Sequence, residues 1–222
     1  MGPTGGERTA PEEDPSRRRR WQGSGHNGAM PAAGLLLTGG ASRRMGTDKA
    51  ALPALDSIES LAGRTARILA GATWPALEVG PGHSRLPVVT EDHPGSGPLH
   101  AVAAGSRALG ARGWLGPAVV VATDLPLLTA GLVGWLADHP SPRSVVPLLG
   151  GRPQSLCARY AAGDLDLAGQ LAGQGHRSMQ DLLARIDPFL AGPDLWEPAA
   201  GDAGALTDVD TPADLARMRG PR

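Results

Sequence analysis

Residues 35–49 concentrate the chemistry of this chain. Three leucines run into Thr38-Gly39-Gly40-Ala41-Ser42-Arg43-Arg44-Met45-Gly46-Thr47-Asp48-Lys49. Paired glycines let a ligand approach the main chain closely, and the amides exposed there form a cradle for anions. Arg43, Arg44 and Lys49 add positive charge to the same loop, and Lys49 is the only lysine in the sequence. Arginine fills the other Lys/Arg positions, so a lone ammonium points to a compact charge with a chemical task, here a phosphate ligand. A glycine turn flanked by solvated basic residues explains each feature singly but not their coincidence.

The second chemical set is acidic. Asp92, Asp124, Asp208 and Asp210 each follow a short apolar run. A basic, amide-lined cradle facing scattered aspartates suits a nucleoside triphosphate with Mg²⁺, which keeps several waters and takes one or two protein carboxylates. Asp124 is the first candidate metal ligand and Asp210 the second. Local sequence equally allows Asp124 as a cap before Pro126, and Thr211-Pro212 already explains a helix start after Asp208 and Asp210. The loop lacks the Gly-Lys-Ser/Thr ending of a Walker A motif, and Gly39-Gly40 does not continue as G-x-G-x-x-G. The histidines show no paired ligand spacing, and no serine sits in a G-x-S-x-G elbow. This inventory suits a reaction that needs no general base. Attack of an ionised phosphate monoester on a nucleotide α-phosphate is one, catalysed by alignment and charge neutralisation.

Positioning these groups requires alternating elements. Residues 58–69 carry apolar positions at helical spacing. Residues 77–79 and 86–90 are short β-like runs, and the second leads into a glycine-bearing loop that begins Glu91-Asp92. Pro98 opens a helix running to about residue 109. Residues 118–122, with three consecutive valines, form the clearest strand, suited to a sheet covered on both faces. A helix over 130–137, a strand over 144–149, an extended segment over 154–159 and helical runs over 164–171 and 178–186 follow. Thr211, Pro212 and Asp214 make a helix-start signature. The alternation predicts an α/β fold, three-layer α/β/α with a mainly parallel sheet. In such sheets ligands bind beyond the carboxyl ends of the strands, so the glycine loop and the aspartates are expected on one edge.

Length and composition narrow the classes. At 222 residues the chain suits one domain with a tail. Residues 1–29, rich in Gly, Pro, Glu and Arg, are expected to be a disordered tail ahead of a domain over 30–222, with Met30 a candidate physiological start. Arg17 to Arg20 are not followed by an apolar stretch, which excludes a twin-arginine signal. The tail's five basic and four acidic residues leave the remainder at −2, with no electrostatic footprint for a nucleic-acid polymer. No uninterrupted apolar run is long enough for a membrane helix. A single cysteine, Cys157, is expected to be a small buried residue and fits a cytoplasmic protein.

The order of these motifs resembles the molybdenum cofactor guanylyltransferases, nucleotidyltransferases with a Rossmann-like, glycosyltransferase-A-like fold. Leu37 to Lys49 looks like their L-x-G-G-x-S-x-R-M-G-x-D-K signature. It is followed in family order by Glu91-Asp92, Gly97-Pro98-Leu99, Asp124-Leu125-Pro126, Arg152-Pro153-Gln154-Ser155-Leu156 and Asp208-Val209-Asp210-Thr211-Pro212. The resemblance implies transfer of GMP from GTP to molybdopterin or Mo-molybdopterin, with release of pyrophosphate and delivery of product to molybdoenzymes or insertion partners. It assigns Leu37, Thr38, Gly39 and Gly40 to the base, Arg44 and Lys49 to the phosphates, and Asp92 and Gly97 to the nucleoside. Asp124 falls to Mg²⁺ and catalysis, and Arg152, Gln154 and Asp208 to the acceptor side. Related cytidylyltransferases typically carry Ala-Gly where this chain has Gly39-Gly40, which favours guanine over CTP as the alternative. A family asparagine is replaced near Gly80, and Asp208 and Asp210 stand where well-known members carry asparagines. Another phosphorylated acceptor, or a non-catalytic nucleotide-binding role, are the rival readings.

Overall fold

A computed structural model describes residues 32–39, 49–55, 59–209, 214, 217 and 218. The expected tail over 1–29 and Met30 lie outside them, as do Gly40, Arg44, Asp210, Thr211 and Pro212. Among the described residues eight strands form one sheet: β1 Ala33–Leu37, β2 Ala76–Val79, β3 Val88–Val89, β4 Ala118–Ala122, β5 Val145–Leu149, β6 Arg152–Pro153, β7 Cys157–Tyr160 and β8 Phe189–Ala191. Their order is β3-β2-β1-β4-β7-β5-β6, with β8 also paired to β5. Strands β3, β2, β1 and β4 run parallel, and β5 and β8 share that direction, while β7 and β6 run against it. The sheet is mixed and mainly parallel. The extended segment expected over 154–159 appears as β7, inserted antiparallel between β4 and β5.

Six helices in the described residues cover the sheet: α1 Leu61–Ala72, α2 Pro98–Gly110, α3 Ala130–Asp138, α4 Ala162–Gly173, α5 Met179–Leu183 and α6 Pro193–Ala200. Three of their starts follow from side-chain capping. Ser60 accepts the Gly63 N–H before α1, Thr129 accepts the Leu132 N–H before α3, and Ser178 and Asp181 form a reciprocal box at α5. Alternation in the strands sorts the core into two layers. Leu35, Leu37, Leu77, Val79 and Val120 face α2, α4 and α5. Leu36, Val119, Val121 and Val145 face α1, α3 and α6, where Trp196 is fully buried. Both layers are mainly aliphatic, with Tyr160 in the first and Trp196 in the second, as a chain with 3% aromatic residues requires. Among the described residues no helix is long and apolar enough to cross a membrane.

The close approach of α1 to β1 depends on Gly34. A Cβ there would stand 2.3 Å from Thr73 Oγ1 and 2.8 Å from Leu69 Cγ. Gly34→Ala is therefore expected to lower stability by about 1–3 kcal/mol through overpacking, read as an earlier urea midpoint at unchanged slope. An unshifted midpoint would show that α1 can retreat without cost.

Candidate functional site

The four consecutive parallel strands end on one edge, and their order places a switch between β1 and β4, where α/β sheets hold ligands. Beyond β1, the Thr38 N–H donates to Val79 O at 3.0 Å. Its hydroxyl donates to Glu78 Oε1 at 2.6 Å. Glu78 is fully buried and is the one acid within β2. Its Oε1 also accepts the Gly82 and His83 N–H groups, and its Oε2 accepts the Ser84 N–H and hydroxyl. Burial alone pushes this carboxyl up, but the Ser84 and Thr38 hydroxyls and the backbone donors outweigh it and hold Glu78 below its ordinary value of 4.5. Glu78 thus ties the loop after β2 to the loop after β1.

The departure from the family pattern expected near Gly80 falls at a position that admits no side chain. Gly80 has φ +146°, and a Cβ there would lie 2.3 Å from Thr38 Oγ1 and 2.7 Å from Gly39 N. Thr38 and Gly39 leave no space for a side chain. Gly39 is itself pressed from the other side, since its Cβ position lies 2.7 Å from Glu91 Oε1. Glu91 is buried, and burial pushes its carboxyl up while the nearby His100 on α2 pulls it down. Asp92, one residue on, turns outward and pairs with Arg107 at 2.7 Å. Gly97 precedes α2 with φ +106°, packed on the Arg177 carbonyl. The Arg177 guanidinium donates to Ser96 O at 2.8 Å and Gly95 O at 3.3 Å, and its own carbonyl accepts the Leu99 N–H. A remote segment between α4 and α5 therefore shapes the loop that Gly97 closes.

Asp124 lies just beyond β4, half-buried, and its carbonyl accepts the Val209 N–H at 2.9 Å. That bond brings exposed Asp208 beside Asp124. Val209 also packs with Ala54 and Leu61, joining the closing segment to the chain that follows Lys49. Lys49 opens a short 3-10 turn, Lys49–Ala51. Burial pushes the Cys157 thiol up to about 12, with Asp124 adding to the effect, so this cysteine is an inert core residue. On the acceptor side, Gln154 N–H donates to Pro147 O and Ala122 N–H to Leu156 O, which sets residues 154–156 beside the end of β4. Arg152 is exposed on β6, and its carbonyl accepts from Gln154 Nε2.

Placement therefore brings Thr38, Gly39, Asp92, Gly97, Asp124, Gln154 and Asp208 to one sheet edge, with Arg152 on the neighbouring hairpin. Leu37, the last residue of β1, is buried beneath them. Among the described residues no group of three or more His, Cys, Asp or Glu gathers as a metal cage. The half-buried Asp124 carboxylate matches the donor chemistry of Mg²⁺ carried on phosphates, which needs only one or two protein carboxylates.

A family model described as the MobA-like NTP transferase domain matches residues 34–189, the span from β1 to β8. The chain belongs to that family. The probable molybdenum cofactor guanylyltransferase of Mycobacterium bovis (strain BCG / Pasteur 1173P2) is 34% identical over 193 residues, 84% of this chain and 92% of that protein. The molybdopterin-guanine dinucleotide biosynthesis protein A of Archaeoglobus fulgidus superposes with a TM-score of 0.67 at 19% identity, covering 84% of this chain and 96% of that one. A 2-C-methyl-D-erythritol 4-phosphate cytidylyltransferase from Thermus thermophilus superposes at 0.56 with 18% identity, covering 85% and 97%. This MobA-like domain thus has the glycosyltransferase-A-like nucleotidyltransferase fold, one that also serves a cytidylyltransferase.

Three residues of the edge escape motif reading. Glu78 had one signal, an acid inside a strand covered on both faces. Glu91 was legible only as half of a Glu-Asp pair. Arg177 had no local signal, because its partners are more than seventy residues away in the chain.

Proposed function

We propose that this MobA-like transferase moves GMP from GTP onto the phosphate of molybdopterin or Mo-molybdopterin, releasing pyrophosphate and forming the guanine dinucleotide. The observation that carries this reading is the meeting of Thr38-Gly39 at the end of β1 with Asp124 at the end of β4, in a chain 34% identical to a probable guanylyltransferase.

In this mechanism an oxygen of the ionised acceptor phosphate attacks the α-phosphorus in line. One phosphorus–oxygen bond forms and the α–β bridge breaks, so no proton need be removed. Thr38, Gly39 and Gly40 hold the nucleoside end, with Asp92 and Gly97 across from them. Arg44 and Lys49 offset the charge that collects on the departing pyrophosphate. Asp124 would hold Mg²⁺, with Asp210 as its second ligand, and the ion would neutralise triphosphate charge. Arg152, Gln154 and Asp208 face the acceptor.

Purified protein supplied with GTP, Mg²⁺ and molybdopterin is expected to release pyrophosphate and yield the guanine dinucleotide by mass. Parallel reactions with CTP decide the base. A preference for CTP rejects the guanylyl reading, and tight GTP binding without turnover on any molybdopterin acceptor replaces the enzyme with a binding protein.

A further inference from the structure

The sheet is interrupted where β6 gives way to β7. Leu148 pairs with Pro153 and Val145 with Arg159, so between these pairs β5 spans three residues while the opposite chain spans six. The surplus, Gln154-Ser155-Leu156, bulges out at the carboxyl end of β4, and a bulge beside a site re-aims the groups it carries. A turn closes it, with the Cys157 N–H donating to Gln154 O at 3.0 Å. The two other bulge carbonyls are also taken: Leu156 O accepts the Ala122 N–H at 2.9 Å, and Ser155 O accepts the hydroxyl of fully buried Tyr160 at 2.7 Å. The Ser155 and Leu156 N–H groups donate to no acceptor among the described residues, and both residues are half-buried. Successive amides of a turn form a concavity for anions.

We propose that the Ser155 and Leu156 amides seat the phosphate of the acceptor, and that Tyr160 is the positioning residue that aims them. The inference rests on the molybdopterin reading above and deepens it, adding main-chain donors to the acceptor side. A trans peptide is planar, with its C=O and N–H pointing opposite ways. The Ser155 carbonyl and the Leu156 N–H share one such plane, so the Tyr160 hydroxyl, by holding the carbonyl inward, turns the N–H outward. The Cys157 bond to Gln154 O does the same for the Ser155 N–H. Gln154 Nε2 donates back to Arg152 O at 3.1 Å, whereas the two amides keep their donors for a ligand. The Ala122 bond sets the turn against the end of β4, two residues before Asp124. Amides suit this acceptor because they bind an ionised phosphate with charge-assisted bonds and give it no proton, leaving it in its attacking form.

Two substitutions separate the donor from its brace. Ser155→Pro removes one amide at the second position of the turn, where proline is favoured. Tyr160→Phe frees the Ser155 carbonyl and keeps the ring in the core. Each is expected to raise the KM for molybdopterin about tenfold with the Kd of GTP unchanged. Inorganic phosphate is the direct probe. Titrated calorimetrically into the protein with GTP and Mg²⁺, it is expected to bind each variant about tenfold more weakly than the unmodified protein. In turnover it is expected to compete with molybdopterin and not with GTP. Tyr160→Phe decides alone if the proline variant does not fold. Unchanged molybdopterin KM and phosphate affinity in a folded variant overturn the proposal. GTP and phosphate affinities falling together make the turn general support, and phosphate competing with GTP places it among the triphosphate ligands; either result overturns the proposal as well. Phosphate binding that both variants weaken, in a protein that turns over no molybdopterin, defeats the acceptor reading and keeps the anion site. Molybdopterin turnover indifferent to both variants defeats only this inference.

Discussion

Asp124→Asn is expected to lower turnover by on the order of 10³-fold. Asp124 sits where the central strand β4, buried throughout, delivers a half-buried carboxylate to the switch between β1 and β4. The amide keeps volume and shape, and the Val209 N–H bond to the main-chain carbonyl of residue 124 is untouched. What changes is charge at the place where the proposed mechanism holds a triphosphate with its cation. Pyrophosphate release measured against Mg²⁺ concentration separates the possibilities. Loss of turnover with a raised Mg²⁺ requirement and an unchanged melting temperature supports the assignment; near-normal turnover would make Asp124 a cap before Pro126. Lys49→Ala is expected to remove most turnover as well, and full activity in that variant would remove the phosphate role from Lys49.

The second large effect concerns stability. Glu78→Gln is expected to cost about 3 kcal/mol, because five donors converge on the carboxylate and an amide nitrogen placed in either orientation meets at least two of them. The sign of the pH effect follows from the direction of the shift. The folded carboxyl lies below its ordinary 4.5, so its contribution is complete above that value and is lost as pH falls through the lower folded one. Denaturant midpoints measured from pH 7 downward should show the unmodified protein losing stability below about 4.5. The variant should start lower and lose less over the same interval. Parallel acid limbs would place the stabilisation elsewhere. Since the Glu78 network also holds the Thr38 hydroxyl, weaker nucleotide binding should accompany the lost stability.

Much of the architecture was legible from local pattern. The strand over 118–122 coincides with β4, and Pro98 opens α2 as its place in a first turn requires. Helices α3, α4 and α5 formed where apolar spacing placed them, within a few residues. Strand β8 and helix α6 went unread. Three residues of strand, Phe189–Ala191, are too few to show alternation, although Gly192-Pro193-Asp194 carried the same kind of helix-start signal recognised at Thr211-Pro212. The antiparallel insertion of β7 was not legible either. Pairing direction is decided by which neighbours a strand meets, and the sequence of one strand does not state it.

By itself the sequence determined the alternation of elements, the glycine-rich loop with its single lysine, and the aspartates after β3 and β4; Asp208, expected after a strand, follows a turn instead. These are local properties, set by side-chain period, capping and backbone freedom within a few residues. Tertiary structure decided what those residues face. It set Asp208 beside Asp124 through one backbone bond and sent Arg177 to shape the loop at Gly97. It also gave Glu78 five donors while leaving Glu91 against the bare Gly39. Two glutamates with little to separate them in the sequence end in different surroundings, because burial and the supply of hydrogen-bond donors belong to the packed sheet edge.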